Sequence, residues 1–126
     1  MSAGKYNFVV EQGAQHVLTF TYSNDANVGI SLDNMSVRMA VKDHITDDEY
    51  VYTATSSNKV DPTFHEHFEI LEQEGPTTGQ FKLTIPTNIT TLFDFNQGVY
   101  DLEAINGEEV TRLLEGKFKI KPQVST

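Results

Sequence analysis

Met35-Ser36-Val37-Arg38-Met39-Ala40-Val41-Lys42 is the stretch on which the fold turns. Met35, Val37, Met39 and Val41 fall on one side of an extended chain, and Ser36, Arg38, Ala40 and Lys42 fall on the other. Successive side chains of a β-strand point to opposite faces, so this alternation describes a strand with one face on a core and one in water.

The same period of two extends in both directions. Upstream, Tyr6, Phe8 and Val10 alternate with Asn7, Val9 and Glu11 before the turn signal Gly13. Leu18, Phe20 and Tyr22 then alternate with Val17, Thr19 and Thr21, and the turn formers of Ser23 to Gly29 predict a loop. Downstream, Asp43 to Glu49 reads as an acidic loop, Tyr50-Val51-Tyr52 with Thr53 and Thr55 as a short strand, and Ser56 to Pro62 as a loop. Phe68, Ile70 and Leu71 mark a further strand, and Gly75-Pro76-Thr77-Thr78-Gly79 a break. Phe81, Leu83 and Ile85 alternate with Gln80, Lys82 and Thr84 until Pro86. Asn88 to Phe93 is the one helical candidate, a single turn between strands. Val99 to Ile105 and Val110 to Ile120 close the set, joined by the hairpin signal Asn106-Gly107.

Seven or eight short strands punctuated by turns predict one all-β domain over residues 1–126. The expected architecture is an antiparallel immunoglobulin-like β-sandwich with one short helical turn near residues 88–93. Tyr100 opens a strand two residues after Gly98, directly after a cross-over connection, where a tyrosine corner would bond its hydroxyl to nearby upstream backbone. The plainer reading is a core tyrosine. No repeat or linker divides the chain, and the tail Pro122 to Thr126 is expected to fray.

Composition narrows the function. With 18 acidic and 9 basic side chains the net charge is -9. That sign is wrong for a nucleic-acid surface and for an anionic membrane, and its simplest role is solubility. The absence of cysteine excludes disulfides, thiolate nucleophiles and Cys-type zinc sites, and it fits assembly in a reducing cytosol. Met1-Ser2-Ala3-Gly4-Lys5 lacks the apolar segment of a signal peptide, and no apolar run approaches the roughly 20 residues of a membrane-spanning helix. The chain therefore reads as complete, soluble and made in the cytoplasm.

Sites are few. His65-Glu66-His67 puts two imidazoles on one face of an extended segment, but a metal needs a third ligand, and His16 and His44 belong to other segments. A polar loop entering a strand is the bland reading. Asp47-Asp48-Glu49 lacks the glycine and alternating spacing of a calcium loop. No nucleophile elbow, phosphate-cradling loop or dinucleotide fingerprint occurs, so neither catalytic residues nor a cofactor nor a metal is assigned, and no enzyme is expected. Asn34-Met35-Ser36 and Asn88-Ile89-Thr90 match glycosylation acceptors, which matter only in a secretory context. Arg38 and Arg112 lie within strands, either on the solvent face or paired with a carboxylate such as Asp101, Glu103 or Glu115, and the solvent face is the first expectation.

Three blocks carry a resemblance: Tyr6-Asn7-Phe8 through Glu11-Gln12-Gly13-Ala14 to Leu18-Thr19-Phe20-Thr21-Tyr22; Ile30-Ser31-Leu32 with Val37-Arg38-Met39-Ala40-Val41-Lys42; and Gly98-Val99-Tyr100-Asp101-Leu102-Glu103 with Val110-Thr111-Arg112-Leu113-Leu114-Glu115-Gly116. Together they resemble the small structural proteins of tailed bacteriophages. That pattern often has Pro where Gly29 stands and Gly where Asn34 stands, and Asp43 to Gly75 lies outside it. The resemblance implies a virion protein of the tail, baseplate or fibre-attachment region, present in many copies and contacting other virion proteins. A capsid decoration protein and a carbohydrate-binding β-sandwich are the alternatives, the latter weakened by the absence of tryptophan. Phe64, Phe93 and Phe95 are candidate loop anchors for a partner, with core filling the competing reading, especially for Phe93.

Overall fold

The computed structural model describes residues 4–24, 26–57, 59–60 and 62–122. Met1-Ser2-Ala3 and the tail Gln123-Val124-Ser125-Thr126 lie outside the described residues, as do Asp25, Asn58 and Asp61 of the predicted loops.

Nine strands follow one another in the described residues: β1 (Gly4–Lys5), β2 (Phe8–Glu11), β3 (His16–Thr21), β4 (Ser36–Lys42), β5 (Tyr52–Thr55), β6 (Phe68–Ile70), β7 (Gln80–Ile85), β8 (Gln97–Asn106) and β9 (Glu109–Lys121). A 3-10 turn at Gly75–Thr77 and a single helical turn, α1 (Thr87–Thr90), interrupt them. The helical turn thus starts and ends earlier than Asn88 to Phe93, because Pro86 sets an extended entry and hands its carbonyl to the amides of Ile89 and Thr90.

The strands form a six-stranded sheet, in which β1 and β2 both border β9 and the order continues β9-β8-β4-β5, and a three-stranded sheet ordered β3-β7-β6. The chain changes sheet between β2 and β3, β3 and β4, β5 and β6, and β7 and β8, the Greek-key crossing of an immunoglobulin-like β-sandwich. Val37, Met39 and Val41 of β4 and Leu102 of β8 meet Phe81, Leu83 and Ile85 of β7 in the shared core. The alternation that defined Met35 to Lys42 is therefore the inner face of β4.

The strands number nine where seven or eight were expected, the two-residue β1 being among them, and their pairing departs from expectation in two places. The sandwich is not wholly antiparallel, since β1 and β2 run parallel to β9, with Phe8 opposite Phe118 and Val10 opposite Ile120. The first strand does not fold back on its neighbour in sequence; it lies beside the last one, and Gly116 allows the approach. A Cβ there would stand 2.2 Å from the Tyr6 carbonyl oxygen. The hairpin at the end of β8 also sits one residue later than the Asn-Gly signal implied. Asn106 pairs with Glu109, so Gly107, at φ 62, and Glu108 form the loop.

Two loop positions that differ from the resembled pattern have geometric reasons. Asn34 sits at φ 64, a left-handed conformation that Gly adopts freely and Asn tolerates. Gly29 packs so closely on residue 78 that a Cβ would fall 2.1 Å from the Thr78 carbonyl oxygen.

Candidate functional site

The outer face of the six-stranded sheet is built in rows. Arg38, Glu103 and Arg112 stand opposite one another on β4, β8 and β9; Ala40, Asp101 and Glu115 form the next row; residues 42, 99 and 117 form the third. Opposite charges placed across neighbouring strands attract. Accordingly Arg38 Nε lies 3.1 Å from Glu103 Oε1, Arg112 Nη2 lies 3.5 Å from Asp101 Oδ2, and Lys5 Nζ lies 3.0 Å from Glu115 Oε2. Both arginines lie on the outer face of the sheet and pair with carboxylates there, so the solvent-face and paired readings hold together. The carboxylate rows supply the partners that a single strand could not reveal.

A bulge separates the pairs Leu102–Leu114 and Glu103–Arg112 and leaves Leu113 as the extra residue of β9. It lets Leu113 and Leu114 both lean towards the core while Arg112 and Glu115 keep the outer face. Asp101 is half-buried. Burial first, then the Glu103 carboxylate, pushes its pKa above the usual carboxylate value, and the arginines Arg112 and Arg38 pull the other way.

Over these rows the sheet dips into a depression of about 430 Å³. Ala40 and Val99 contribute apolar surface, Lys42, Lys117 and Arg112 positive charge, Asp101 and Glu115 negative charge. Ile45 and Tyr50 line it from the connection between β4 and β5, and they are 79% and 51% exposed. The Asp47 carboxylate accepts from the His44 amide and the Asp47 amide donates to the His44 carbonyl, so this acidic loop is a tight turn. Tyr50 sits outside β5, with Lys42 Nζ 5.4 Å from its ring centroid and Phe64 edge-on at 6.1 Å. Reading Tyr50 as part of a strand missed this projection; a lone Ile45 in a polar loop was the available signal. Phe93 and Phe95, by contrast, are buried core residues against Phe118, not surface anchors.

The histidine pair lies elsewhere, on the segment that links the sheets. The Thr55 amide donates to the His65 carbonyl and the Thr84 amide to the His67 carbonyl. The two imidazoles stack with Tyr52, and with each other at 5.0 Å and 4°. A metal lies in the plane of each imidazole that binds it, and two stacked parallel rings share no such plane. His67 Nδ1 is already 2.6 Å from the Tyr52 hydroxyl. Burial, and then the neighbouring His65, lower the His67 pKa, while burial raises that of Tyr52. With the ring neutral and the phenol protonated, the hydroxyl donates and Nδ1 accepts. No cluster of three or more metal-ligating side chains occurs among the described residues. His16 points its buried Nε2 at no hydrogen-bond partner among the described residues, and its ring meets Phe8; burial lowers its pKa.

Tyr100 is buried, but it is not a corner closed on nearby backbone. Its hydroxyl donates at 2.6 Å to the carbonyl of Tyr6, which lies far upstream. The glycine-permitted approach of the first segment to β9 brings that carbonyl into reach. Burial is the main cause that raises the Tyr100 pKa. The two glycosylation triplets place Ser36 and Thr90 in the interior, and Thr90 Oγ1 donates to the Ala14 carbonyl.

No family model and no curated protein matches this chain. Among solved structures, the N-terminal Ig1-2 module of the Drosophila receptor protein tyrosine phosphatase DLAR is similar, with 16% identity and a TM-score of 0.45. The match covers 95% of this chain and 47% of that one, so the chain spans about half the length of that module.

Proposed function

We propose that this protein is a non-catalytic structural component of a phage particle that acts by binding other virion proteins through the outer face of its six-stranded sheet. The observation that supports this reading is the depression rimmed by Tyr50 and Ile45 and bordered by Arg112, Asp101, Lys42 and Lys117. Exposed aromatic and arginine side chains beside apolar floor are the composition that concentrates binding energy at protein interfaces. Charges of both signs in fixed pairs set the orientation of a partner more than its affinity. The perturbed tyrosines and His67 all engage in contacts that tie segments of the fold together, which favours a scaffold over an active site. The tail, baseplate or fibre-attachment assignment, and the multi-copy state, rest on the sequence resemblance.

The test is photo-cross-linking from position 50 within assembled particles, read by mass spectrometry. A cross-link to another particle protein is expected, and the partner's place separates tail from capsid decoration. Absence of the chain from purified particles overturns the virion reading. Specific signal on a glycan array, abolished by Tyr50→Ala, would favour the carbohydrate-binding alternative.

A further inference from the structure

We propose that a second copy of this chain pairs with β3, edge to edge and antiparallel, joining two three-stranded sheets across a two-fold axis. In sandwiches of this topology the first strand usually borders the second. Here β1 and β2 border β9 instead, so β3 is the end of its sheet. The Tyr22 amide donates to the Gly79 carbonyl, in register with the β3–β7 pairs, so the even-numbered residues of β3 bond to β7. Val17, Thr19 and Thr21 therefore turn their amides and carbonyls outward, where no described residue meets them.

The other sheet ends are protected. The outer edge of β5 is taken by the segment at His65, through the Ala54–His65 bridge and the Thr55 amide. β6 is three residues long and carries Glu69, and β2 carries Glu11, 3.8 Å from Lys121. Short length and charge are the devices that keep edges from pairing. β3 is six residues long, and Val17 to Thr21 carries neither charge, proline nor glycine.

The strand is self-complementary. Placed antiparallel about Thr19, Val17 faces Thr21 of the copy and Thr19 faces its twin, with roughly six main-chain hydrogen bonds formed. All three side chains are β-branched and lie on the outer face, where Thr–Thr and Val–Thr cross-strand pairs are favourable. Charge permits a second copy at this edge despite the net -9. The neighbours of Thr19 across this sheet are Lys82 and Glu69, which pair with each other at 3.8 Å, so this face brings no like charge to the axis.

Sedimentation velocity over a dilution series tests the pairing, and it does not depend on any role in a particle. The wild-type chain is expected to sediment as a concentration-dependent dimer. Thr19→Lys sets like charges directly across the axis, and Thr19→Pro removes an outward amide without touching a β7 bond. Both should sediment as monomers with an unchanged far-ultraviolet circular dichroism spectrum. Should either variant misfold, amide exchange of the wild type decides: the amides of Val17, Thr19 and Thr21 must lose protection on dilution. A wild-type chain that stays monomeric at its highest soluble concentration overturns the proposal. So do folded variants that remain dimeric, and outward amides whose exchange ignores concentration.

Discussion

Tyr52 and Tyr100 flank the same residue, Val41, from β5 on one side and β8 on the other. Each is 4% exposed and each makes a hydroxyl hydrogen bond of 2.6 Å. Their partners differ in kind. Tyr100 donates to the Tyr6 carbonyl and holds the first segment against β9, whereas Tyr52 donates to His67 Nδ1 and holds the segment that links the sheets. A carbonyl does not titrate in the physiological range and an imidazole does. One side of the sandwich is thus closed by a bond whose acceptor does not titrate, the other by a bond whose donor and acceptor change roles when His67 takes up a proton.

The two sides share a support. Phe8 packs on Tyr100 at 4.8 Å and on Phe118 at 5.4 Å, and Phe118 reaches Tyr52 at 6.0 Å. Phe118→Ala should therefore loosen both tyrosines at once, at a cost of about 3–5 kcal/mol. Chemical denaturation measures it. A loss below about 1 kcal/mol would mean that the tyrosines do not share this support.

Removing one hydroxyl at a time separates the sides. Tyr100→Phe and Tyr52→Phe should each lose about 1 kcal/mol at neutral pH. Burial keeps the folded-state pKa of His67 below its ordinary value of 6.5, so the unfolded chain binds the extra proton first. The stabilisation is full above that value and declines as pH falls below it. The deficit of Tyr52→Phe should accordingly shrink on acidification, while that of Tyr100→Phe stays level. Denaturation of the wild type and both variants across this pH range checks it, and parallel curves would erase the contrast. His16, also lowered by burial, adds to the acid loss of all three proteins equally.

The smallest expected effect is none. Treatment with a chelator should leave the melting temperature unchanged, because the stacked rings of His65 and His67 turn no common plane to an ion. A clear drop would replace the hydroxyl–imidazole account of this side with a metal-held one.

Much of this was legible in the sequence. Met35 to Lys42, Gln80 to Ile85 and the strand at Tyr100 were readable because a half-buried strand writes its two faces into alternate residues. Tyr50 and Ile45 were not, since exposure at a loop depends on where the chain turns. The salt bridges of Arg38 and Arg112 were open alternatives, for a strand's sequence says which side chains share a face and nothing of what lies opposite. Phe95 was misplaced for the related reason that an aromatic residue in a connection can face either the core or the solvent.

By itself the sequence determined the β-class of the chain, most strand positions, the absence of thiol chemistry and the acidic surface, all of which follow from local periodicity and composition. Only the tertiary structure decided that the first segment lies beside β9 and leaves the edge of β3 open. It likewise decided that Tyr100 meets Tyr6, that Tyr52 meets His67, and that the charges of the outer face fall into pairs. Each joins residues far apart in the chain, and strand order and register are set by the packing of the whole core.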